Sequence, residues 1–216
     1  MATAPIRTLR ELLALSPVLP VVTIDDAALA IDVVKALADG GIGIAEITLR
    51  TPAGLPAIER IATHVPGFVV AAGTVLNGRD LAAATRAGAA FAVSPGATRE
   101  LLEAAAGGAL PFLPAVATAS ELMQAAAFGH ECFKFFPAAA AGGIAALDAL
   151  AGPFPDARFC PTGGITEDTA AAYLARPNVV CVGGSWIAPR ATIARRDWAA
   201  ITQAAQRTTQ IGSPPR

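Results

Sequence analysis

Residues 18–50, VLPVVTIDDAALAIDVVKALADGGIGIAEITLR, place two strand-like runs on either side of an alanine-rich helical stretch. The runs Val18–Thr23 and Ile42–Leu49 are mostly apolar rather than alternating, which is typical of parallel strands buried on both faces. Parallel neighbours need a crossover connection, and Ala27–Ala38 has the length and composition of a crossover helix. This stretch therefore predicts a β-α-β unit and an α/β fold.

The same pattern recurs along the rest of the chain. The further strand-like runs are Phe68–Ala72, Phe91–Ser94, Leu110–Leu113, Cys132–Phe136, Arg158–Cys160 and Val179–Val182. The helical stretches between them are Gly54–His64, Gly78–Ala87, Arg99–Ala106, Ala119–Phe128, Ile144–Leu150 and Glu167–Ala175. The runs follow one another roughly every 20 to 27 residues, the room that one strand, one helix and two short loops occupy.

Eight such runs predict a (β/α)8 TIM barrel, with an N-terminal helix. We expect one compact domain over residues 1–216, with its core at about 12–205 and a frayed end at 212–216. The alternative is a doubly wound open sheet. Its phosphate-binding turn, G-x-G-x-x-G, does not follow the first strand, where residues 21–26 read VVTIDD.

Composition excludes several classes of protein. Because 54% of the residues are hydrophobic and only 15% are charged, the chain is not expected to be disordered. A net charge of −1 gives no basic surface for nucleic acid. No uninterrupted apolar stretch predicts a membrane helix, and Pro17 and Pro20 break the stretch that could resemble a signal peptide. Three widely spaced cysteines favour a reducing, cytoplasmic location.

Lys134 stands out because the chain uses lysine at only two positions, Lys35 and Lys134, among 16 basic residues. It lies between aromatic residues in the strand-like run 132–136. Burial disfavours the charged form of an amine, and a neutral amine is the form that acts as a nucleophile. Arginine cannot serve in this way because its guanidinium group stays protonated. A lysine that extends from a strand end, or that binds a phosphate or carboxylate, is an equally open interpretation.

Glu46 is a second polar residue inside an apolar run. A carboxyl group in such surroundings can act as a general acid and base near neutral pH. A structural ion pair with Arg50 or Lys134 is the other interpretation. Glu46, Thr48 and Arg50 share one side of an extended strand, and Arg50 suits two-pronged binding of a carboxylate. In a barrel, Lys134 and Glu46 could meet in the same cavity.

Two glycine pairs follow the seventh and eighth strand-like runs, in Thr162-Gly163-Gly164 and in Gly183-Gly184-Ser185. Glycine lets backbone N–H groups approach an anion closely, and a following helix N-terminus adds partial positive charge. The loops after strands seven and eight are the recurrent phosphate site of the TIM barrel. We therefore expect these pairs to bind phosphate rather than to serve only as tight turns. The sequence has no Cys/His cluster of the kind that binds metal.

Together these segments resemble one family, the class I aldolases for 2-dehydro-3-deoxy-phosphogluconate (KDPG) and 4-hydroxy-2-oxoglutarate (KHG). The matching segments are GIAEITLRT (43–51), AAGTVLN (71–77), AVSPG (92–96), FKFFPA (133–138), FCPTGGI (159–165) and VGGSW (182–186). The resemblance runs in family order from about residue 12 to 205. It implies a (β/α)8 enzyme of the cytoplasm that needs no cofactor or metal and forms a homotrimer. It also implies a phosphorylated 2-oxo acid as substrate.

The resemblance also implies a role for each site residue. Lys134 would form a Schiff base with the 2-oxo carbon of the substrate, and Glu46 would move protons. The remaining assignments are Arg50 and Thr74 for the pyruvyl carboxylate, Phe136 and Pro95 for the wall of the site, Thr162 beside the substrate, and Gly163, Gly164, Gly184 and Ser185 for the phosphate.

The chain departs from the family pattern at two places. Ala115 follows Pro114 where the family often has glycine, and residues 137–143 read PAAAAGG where the family often has PAE and an asparagine. These departures leave open the preference among KDPG, its C4 epimer and KHG. On the residues alone, two other functions are open: a phosphosugar isomerase or epimerase with Glu46 as base, and a barrel that binds a phosphometabolite without turnover.

Overall fold

The computed structural model describes residues 8–211 and alternates strands with helices over this range. The strands are β1 (Val18–Val22), β2 (Ile44–Thr48), β3 (Val69–Gly73), β4 (Phe91–Val93), β5 (Phe112–Leu113), β6 (Ala115–Val116), β7 (Cys132–Phe135), β8 (Arg158–Pro161) and β9 (Val182–Gly184). The helices are α1 (Leu9–Leu13), α2 (Ala30–Asp39), α3 (Gly54–His64), α4 (Gly78–Arg86), α5 (Arg99–Ala106), α6 (Ala119–Ala127), α7 (Gly143–Ala151), α8 (Glu167–Leu174), α9 (Arg190–Ala194) and α10 (Trp198–Thr209). The frayed end expected at 212–216 lies outside the described residues.

The strands pair in parallel, as the burial of both strand faces predicts. One sheet has the order β5-β4-β3-β2-β1-β9 and a second has the order β6-β7-β8. Isolated parallel bridges, Phe159 to Val179 and Thr162 to Gly183, connect β8 to the chain at β9. The predicted α/β fold with parallel strands is confirmed. The first helix, α1, is the predicted N-terminal helix, and the Thr8 and Glu11 side chains cap it.

The fifth strand-like run, Leu110–Leu113, forms a strand only at Phe112–Leu113 (β5), and a further short strand, Ala115–Val116 (β6), follows outside the predicted run. Pro114 separates β5 from β6, because proline has no N–H to donate to a strand ladder. Its carbonyl still accepts a hydrogen bond from the N–H of Lys134 at 2.9 Å. The next N–H, of Ala115, points to the Ser94 hydroxyl at 3.4 Å. The run therefore stays beside its neighbours on both sides while the ladder is interrupted.

The last strand and the last two helices differ from the sequence prediction. The run Val179–Val182 was expected to be a strand, but β9 begins at Val182, where pairing with β1 begins. Asn178 donates a side-chain hydrogen bond to the Leu147 carbonyl at 2.9 Å and so fixes the approach to this strand. Helices α9 and α10 have no counterpart among the predicted helices. Their polar and charged residues make the apolar face of each helix hard to recognise in the sequence. Helix α10 packs on α2, and Thr202 donates a hydrogen bond to the Ala36 carbonyl.

The core lies between the strands and the helices. Its largest fully buried side chains include four phenylalanines on the strands: Phe91, Phe133, Phe135 and Phe159. Burying a side chain of this size stabilises a fold by about 1.5–3 kcal/mol relative to exposure. Over residues 8–211 none of the helices combines the length and the apolarity needed to cross a bilayer.

Several helices begin close to the carboxyl ends of the strands. The Thr98 side chain accepts a hydrogen bond at the start of α5, and Thr118 with Glu121 forms a capping box at the start of α6. Because the strands are parallel, their carboxyl ends share one edge of the fold. Side chains and helix N-termini from distant parts of the chain therefore meet at that edge.

Candidate active site

Lys134 on β7 and Glu46 on β2 meet inside the fold. The Lys134 Nζ atom lies 3.2 Å from each carboxylate oxygen of Glu46. Lys134 is 4% exposed and Glu46 is 1% exposed, so water has almost no access to the pair. Strand pairing fixes the backbone of Glu46, which pairs with Val21 and Ala71 on the neighbouring strands. The two residues that stand out in the sequence as a possible acid–amine pair are thus in direct contact.

This contact permits proton exchange within the pair. Moving one proton from the Lys134 ammonium to the Glu46 carboxylate removes both charges at once and leaves a neutral amine. A neutral amine beside a carboxylic acid is the arrangement that carbonyl addition requires. The Phe136 ring adds an apolar wall, with its centroid 5.5 Å from Lys134 Nζ. The ring also stabilises the ammonium form through a cation–π contact.

Glycine at position 73 makes room for the Glu46 side chain. A Cβ atom at Gly73 would lie 2.1 Å from Oε1 and 2.4 Å from Cγ of Glu46. Gly73 ends β3 and pairs with Thr48, so its backbone is fixed. The sequence places Gly73 at a strand end but does not indicate this role. The only available signal was a glycine at a strand end beside the strand of Glu46.

Arg50, Thr74 and Pro95 follow three neighbouring strands at the same edge. Strand β2 ends at Thr48, so Arg50 lies in the following turn rather than on the strand, and its side chain is exposed. The expected period-two placement is therefore correct for Glu46 and Thr48 and wrong for Arg50. Thr74 has a φ of 61°, a left-handed conformation that a β-branched residue seldom adopts. Such strain is concentrated at functional sites.

The two glycine segments lie side by side. Thr162 and Gly183 form a parallel bridge, and a Cβ atom at Gly183 would lie 2.2 Å from the Thr162 hydroxyl oxygen. Gly163 and Gly164 have φ angles of 101° and 76°, which require glycine. A Cβ atom at Gly163 would lie 3.2 Å from the Phe136 ring, so this turn adjoins the aromatic wall of the Lys134 site.

The chain after β7 runs beside the turn after β8. The N–H groups of Ala138 and Ala139 donate hydrogen bonds to the carbonyls of Thr162 and Gly163, at 2.8 and 3.0 Å. A Cβ atom at Gly164 would lie 2.6 Å from the Ala139 Cβ atom. The departure from the family pattern at Ala139 therefore concerns a residue that packs directly on the second glycine turn. Ala115, the other departure, pairs with Lys134.

Gly184 and Ser185 complete this edge. Gly184 is the last residue of β9, and its missing Cβ leaves space for the Trp186 ring, since that atom would lie 2.2 Å from it. The Ser185 side chain is exposed. The two turns thus expose backbone and one hydroxyl at the point where β8 and β9 end.

A hydroxyl pair at this edge was missed by the sequence analysis. Thr23 follows β1, and its hydroxyl oxygen lies 2.9 Å from that of Thr48, which is fully buried. The register of β1 and β2 places both residues two positions beyond Val21 and Glu46. The sequence signal for this pair is the two-residue spacing of Val21 and Thr23 on one strand and of Glu46 and Thr48 on the neighbouring strand.

Two buried cysteines lie behind Lys134. Cys160 pairs with Lys134 in the strand register, and its thiol contacts the Cys181 thiol and, at 3.9 Å, the Thr162 hydroxyl. The hydrogen bond to Cys160, together with burial, raises the pKa of the Cys181 thiol. Cys160 belongs to the core, and all three cysteines are free and buried. Residues 8–211 contain no cluster of three or more metal-binding side chains.

Comparison with known proteins places this geometry in a family. A family model described as KDPG and KHG aldolase matches residues 9–204. The 2-dehydro-3-deoxy-phosphogluconate aldolase of Pseudomonas aeruginosa is 53% identical over 184 residues, which are 85% of this chain and 84% of that protein.

Two solved structures are similar to the fold. KDPG aldolase from Legionella pneumophila, with pyruvate captured at low pH as a covalent carbinolamine intermediate, is 45% identical with a TM-score of 0.91. The match covers 93% of this chain and 97% of that chain. The KDPG aldolase of Zymomonas mobilis with 3-phosphoglycerate is 44% identical with a TM-score of 0.88, over 93% of this chain and 94% of that chain. This chain belongs to the KDPG and KHG aldolase family.

Proposed function

We propose that the chain is a class I aldolase that cleaves KDPG to pyruvate and D-glyceraldehyde 3-phosphate. We further propose that it cleaves KHG to pyruvate and glyoxylate. The observation that carries the proposal is the buried contact between Lys134 Nζ and the Glu46 carboxylate, at 3.2 Å, in a chain of this family. A carbonyl-reactive amine and an acid–base group in contact are the parts that a Schiff-base aldolase needs.

The pair can carry each step in turn. Neutral Lys134 adds to the C2 carbonyl to give a carbinolamine, and loss of water gives a protonated imine. Glu46, as carboxylate, takes the proton of the C4 hydroxyl group. The electrons of the C3–C4 bond move toward the imine nitrogen, which releases the aldehyde and leaves an enamine. Glu46 returns a proton to C3, and water then hydrolyses the imine to free pyruvate and Lys134.

The rest of the site would hold the two ends of the substrate. We assign the pyruvyl carboxylate to Arg50 and Thr74, and the wall to Phe136 and Pro95. Thr162 would lie beside the substrate, and the phosphate would bind at Gly163, Gly164, Gly184 and Ser185. The positive φ angles of Gly163 and Gly164 support the phosphate assignment, because such turns direct backbone N–H groups toward an anion.

We also propose the architecture that the family implies. The two sheets, joined by the bridges between β8 and β9 and by the interrupted run at Pro114, would form one (β/α)8 barrel. Residues 1–216 would form one domain that assembles as a homotrimer in the cytoplasm. It would work without a cofactor and without nucleic acid or membrane partners.

Trapping of the pyruvate imine tests the function. Pyruvate with borohydride should label the protein irreversibly, and peptide mapping should place the label on Lys134. Lys35 is the matched internal control, because it is exposed on α2 and should stay unlabelled. Lys134→Arg should abolish both labelling and turnover. A substrate panel of KDPG, its C4 epimer and KHG then measures the preference.

Two outcomes would contradict the proposal. Turnover without any label on Lys134, retained in Lys134→Arg, would indicate an isomerase or epimerase. Binding of a phosphosugar with no turnover of any member of the panel would indicate a non-catalytic binding protein.

A further inference from the structure

An ion pair between Asp25 and Arg190 joins the loop after β1 to the start of α9, at the edge of the fold where we assign the phosphate site. Asp25 is in the loop after β1, and Arg190 is the first residue of α9. Strands β1 and β9 are paired in parallel, with Pro20 opposite Gly184, so both loops leave adjacent strands at the same edge. The Arg190 Nε and Nη2 groups donate hydrogen bonds to Oδ2 and Oδ1 of Asp25. The contact is therefore two-pronged and fixes the orientation of both groups.

Asp25 belongs to a loop that is itself held in place. Ile24, just before it, is fully buried, and its carbonyl accepts a hydrogen bond from the Thr51 hydroxyl. Asp26, just after it, accepts a hydrogen bond from the N–H of Ala28 at 2.9 Å. The backbone around Asp25 is thus held in place, so an ion pair with Asp25 can fix the position of another segment.

Arg190 ends the short segment 185–189 that links β9 to α9. The segment begins at Ser185, directly after Gly184 in the strand, and Ile187 and Ala188 are buried within it. The Ser185 side chain is exposed at the edge of the fold. One end of the segment is fixed by strand pairing, and the other end is fixed by the contact between Arg190 and Asp25.

Stability alone does not account for this pair. The side chains of Arg190 and Asp25 are 63% and 49% exposed, and exposed ion pairs contribute little to folding. The hydrogen bond from Arg190 lowers the pKa of Asp25. The pair links two loops at the edge of the fold where we assign the phosphate site.

We propose that Asp25 and Arg190 are a positioning pair that holds segment 185–189 in the conformation that binds the substrate's phosphate. The inference rests on the proposed function. The pair acts through Ser185 and the neighbouring N–H groups, and it does not touch the carbon chain of the substrate. It should therefore set the affinity for phosphorylated 2-oxo acids and leave the chemistry at Lys134 unchanged.

Kinetics of Asp25→Asn with two substrates test this role. The substrates are KDPG and 2-dehydro-3-deoxygluconate, which lacks only the phosphate. We expect the KM for KDPG to rise about two- to fivefold, the range for loss of an exposed pair. The kcat for KDPG and the KM for the unphosphorylated acid should stay at the values of the unaltered protein. Arg190→Lys keeps the charge but loses the two-pronged geometry, so it should raise the KM for KDPG by a smaller factor.

Charge reversal and a matched control sharpen the test. The double variant Asp25→Arg with Arg190→Asp restores an ion pair with the two charges exchanged. Its KM for KDPG should return most of the way to the value of the unaltered protein. Asp148→Asn is the control, because Asp148 and Arg176 form an exposed ion pair between two other elements, at 3.3 Å. We expect this variant to leave the KM of both substrates unchanged.

The outcomes separate this inference from the proposed function. Absence of pyruvate trapping on Lys134 in the unaltered protein would contradict the function. Normal trapping with equal KM changes for both substrates would overturn the positioning role. So would a loss of KDPG affinity in Arg190→Lys with none in Asp25→Asn, because Arg190 would then bind the phosphate directly.

Discussion

Two ion pairs of this fold lie in opposite surroundings, one inside the fold and one at its edge. Lys134 and Glu46 are separated by 3.2 Å, with side chains 5% and 1% exposed. Asp25 and Arg190 also form a two-pronged contact, but both side chains are about half exposed or more. Burial makes each charge of the first pair depend on its partner, whereas water stabilises each charge of the second pair independently. The same type of contact thus occurs in two settings, and we propose a chemical role for the buried pair and a positioning role for the exposed one.

The choice of cation follows the same division. A lysine in a buried pair can become neutral by giving its proton to the carboxylate, and it then becomes a nucleophile. An arginine in an exposed pair stays charged and holds a carboxylate with a fixed fork. Arginine fills 14 of the 16 basic positions in this chain. Among residues 8–211, the buried basic position is a lysine, Lys134, while the other lysine, Lys35, is exposed.

Glu46→Gln should have the largest effect, because it breaks the buried pair from one side. The Lys134 ammonium would be left without its counter-charge, which costs about 3–5 kcal/mol in the free energy of unfolding. Loss of the acid–base group should lower kcat about a hundred- to ten-thousandfold. Urea unfolding and steady-state kinetics measure the two effects.

The double variant Glu46→Gln with Lys134→Met is the control for the stability effect. It removes both charges, so it should unfold at a higher urea concentration than Glu46→Gln alone. If the single variant is as stable as the unaltered protein, the two charges do not depend on each other and the comparison between the two pairs fails.

Gly73→Ala should have a smaller effect, because it moves the Glu46 carboxylate without removing it. The new methyl group would overlap Oε1 and Cγ of Glu46, and overpacking of this kind costs about 1–3 kcal/mol. Displacement of the carboxylate by about 1 Å should lower kcat about a hundredfold. Gly43→Ala is the matched control, since nothing lies within 4 Å of a Cβ atom there. Equal activity of the two variants would show that the position of Glu46 is not critical.

His130 offers an intermediate case, a half-buried titratable group without an ion-pair partner among the described residues. Its Nε2 atom is buried with no hydrogen-bond partner there, and its ring packs at 5.7 Å from Phe112. Burial lowers the pKa of His130 below its ordinary value of about 6.5. The folded state thus binds a proton less readily than the unfolded state. The stability gained by keeping His130 neutral in the folded state is therefore fully present above about pH 6.5. It is lost as the pH falls from there toward the lowered pKa.

Thermal unfolding between pH 8 and pH 5 measures this effect. His130→Gln should flatten the decline in Tm below about pH 6.5. His64→Gln should leave the decline as it is, because His64 is exposed. An unchanged dependence of Tm on pH in His130→Gln would mean that burial without a partner has no measurable cost at this position. His130 would then not be intermediate between the buried and the exposed ion pair.

The sequence predicted the strand and helix alternation and the main polar residues of the site, for a clear physical reason. A charged residue inside an apolar run, such as Lys134 or Glu46, is costly unless it is paired or used, so its presence is informative. Thr162 and the glycine pairs were identifiable because parallel strands place their carboxyl ends at one edge. The family resemblance supplied roles that residue types alone left open.

Features that depend on shape were not predictable from the sequence. The need for glycine at position 73 arises only when the Glu46 side chain is in place, and the left-handed conformation of Thr74 has no residue signature. The Asp25–Arg190 contact joins residues 165 positions apart, and neither lies in a motif. Helices α9 and α10 were missed because their pattern is too polar to be recognised without the surface on which they pack.

The pairing of β1 with β9 also governs how the chain reaches its native state. Val18 pairs with Val182, so the edge of β1 that faces β9 stays unpaired until the chain has been synthesised beyond β9. Such long-range parallel pairing slows folding, and an open strand edge attracts other chains. Arrest of translation before residue 182 would therefore leave a nascent chain that aggregates. We therefore expect the pairing of β9 with β1 to be a late step of folding.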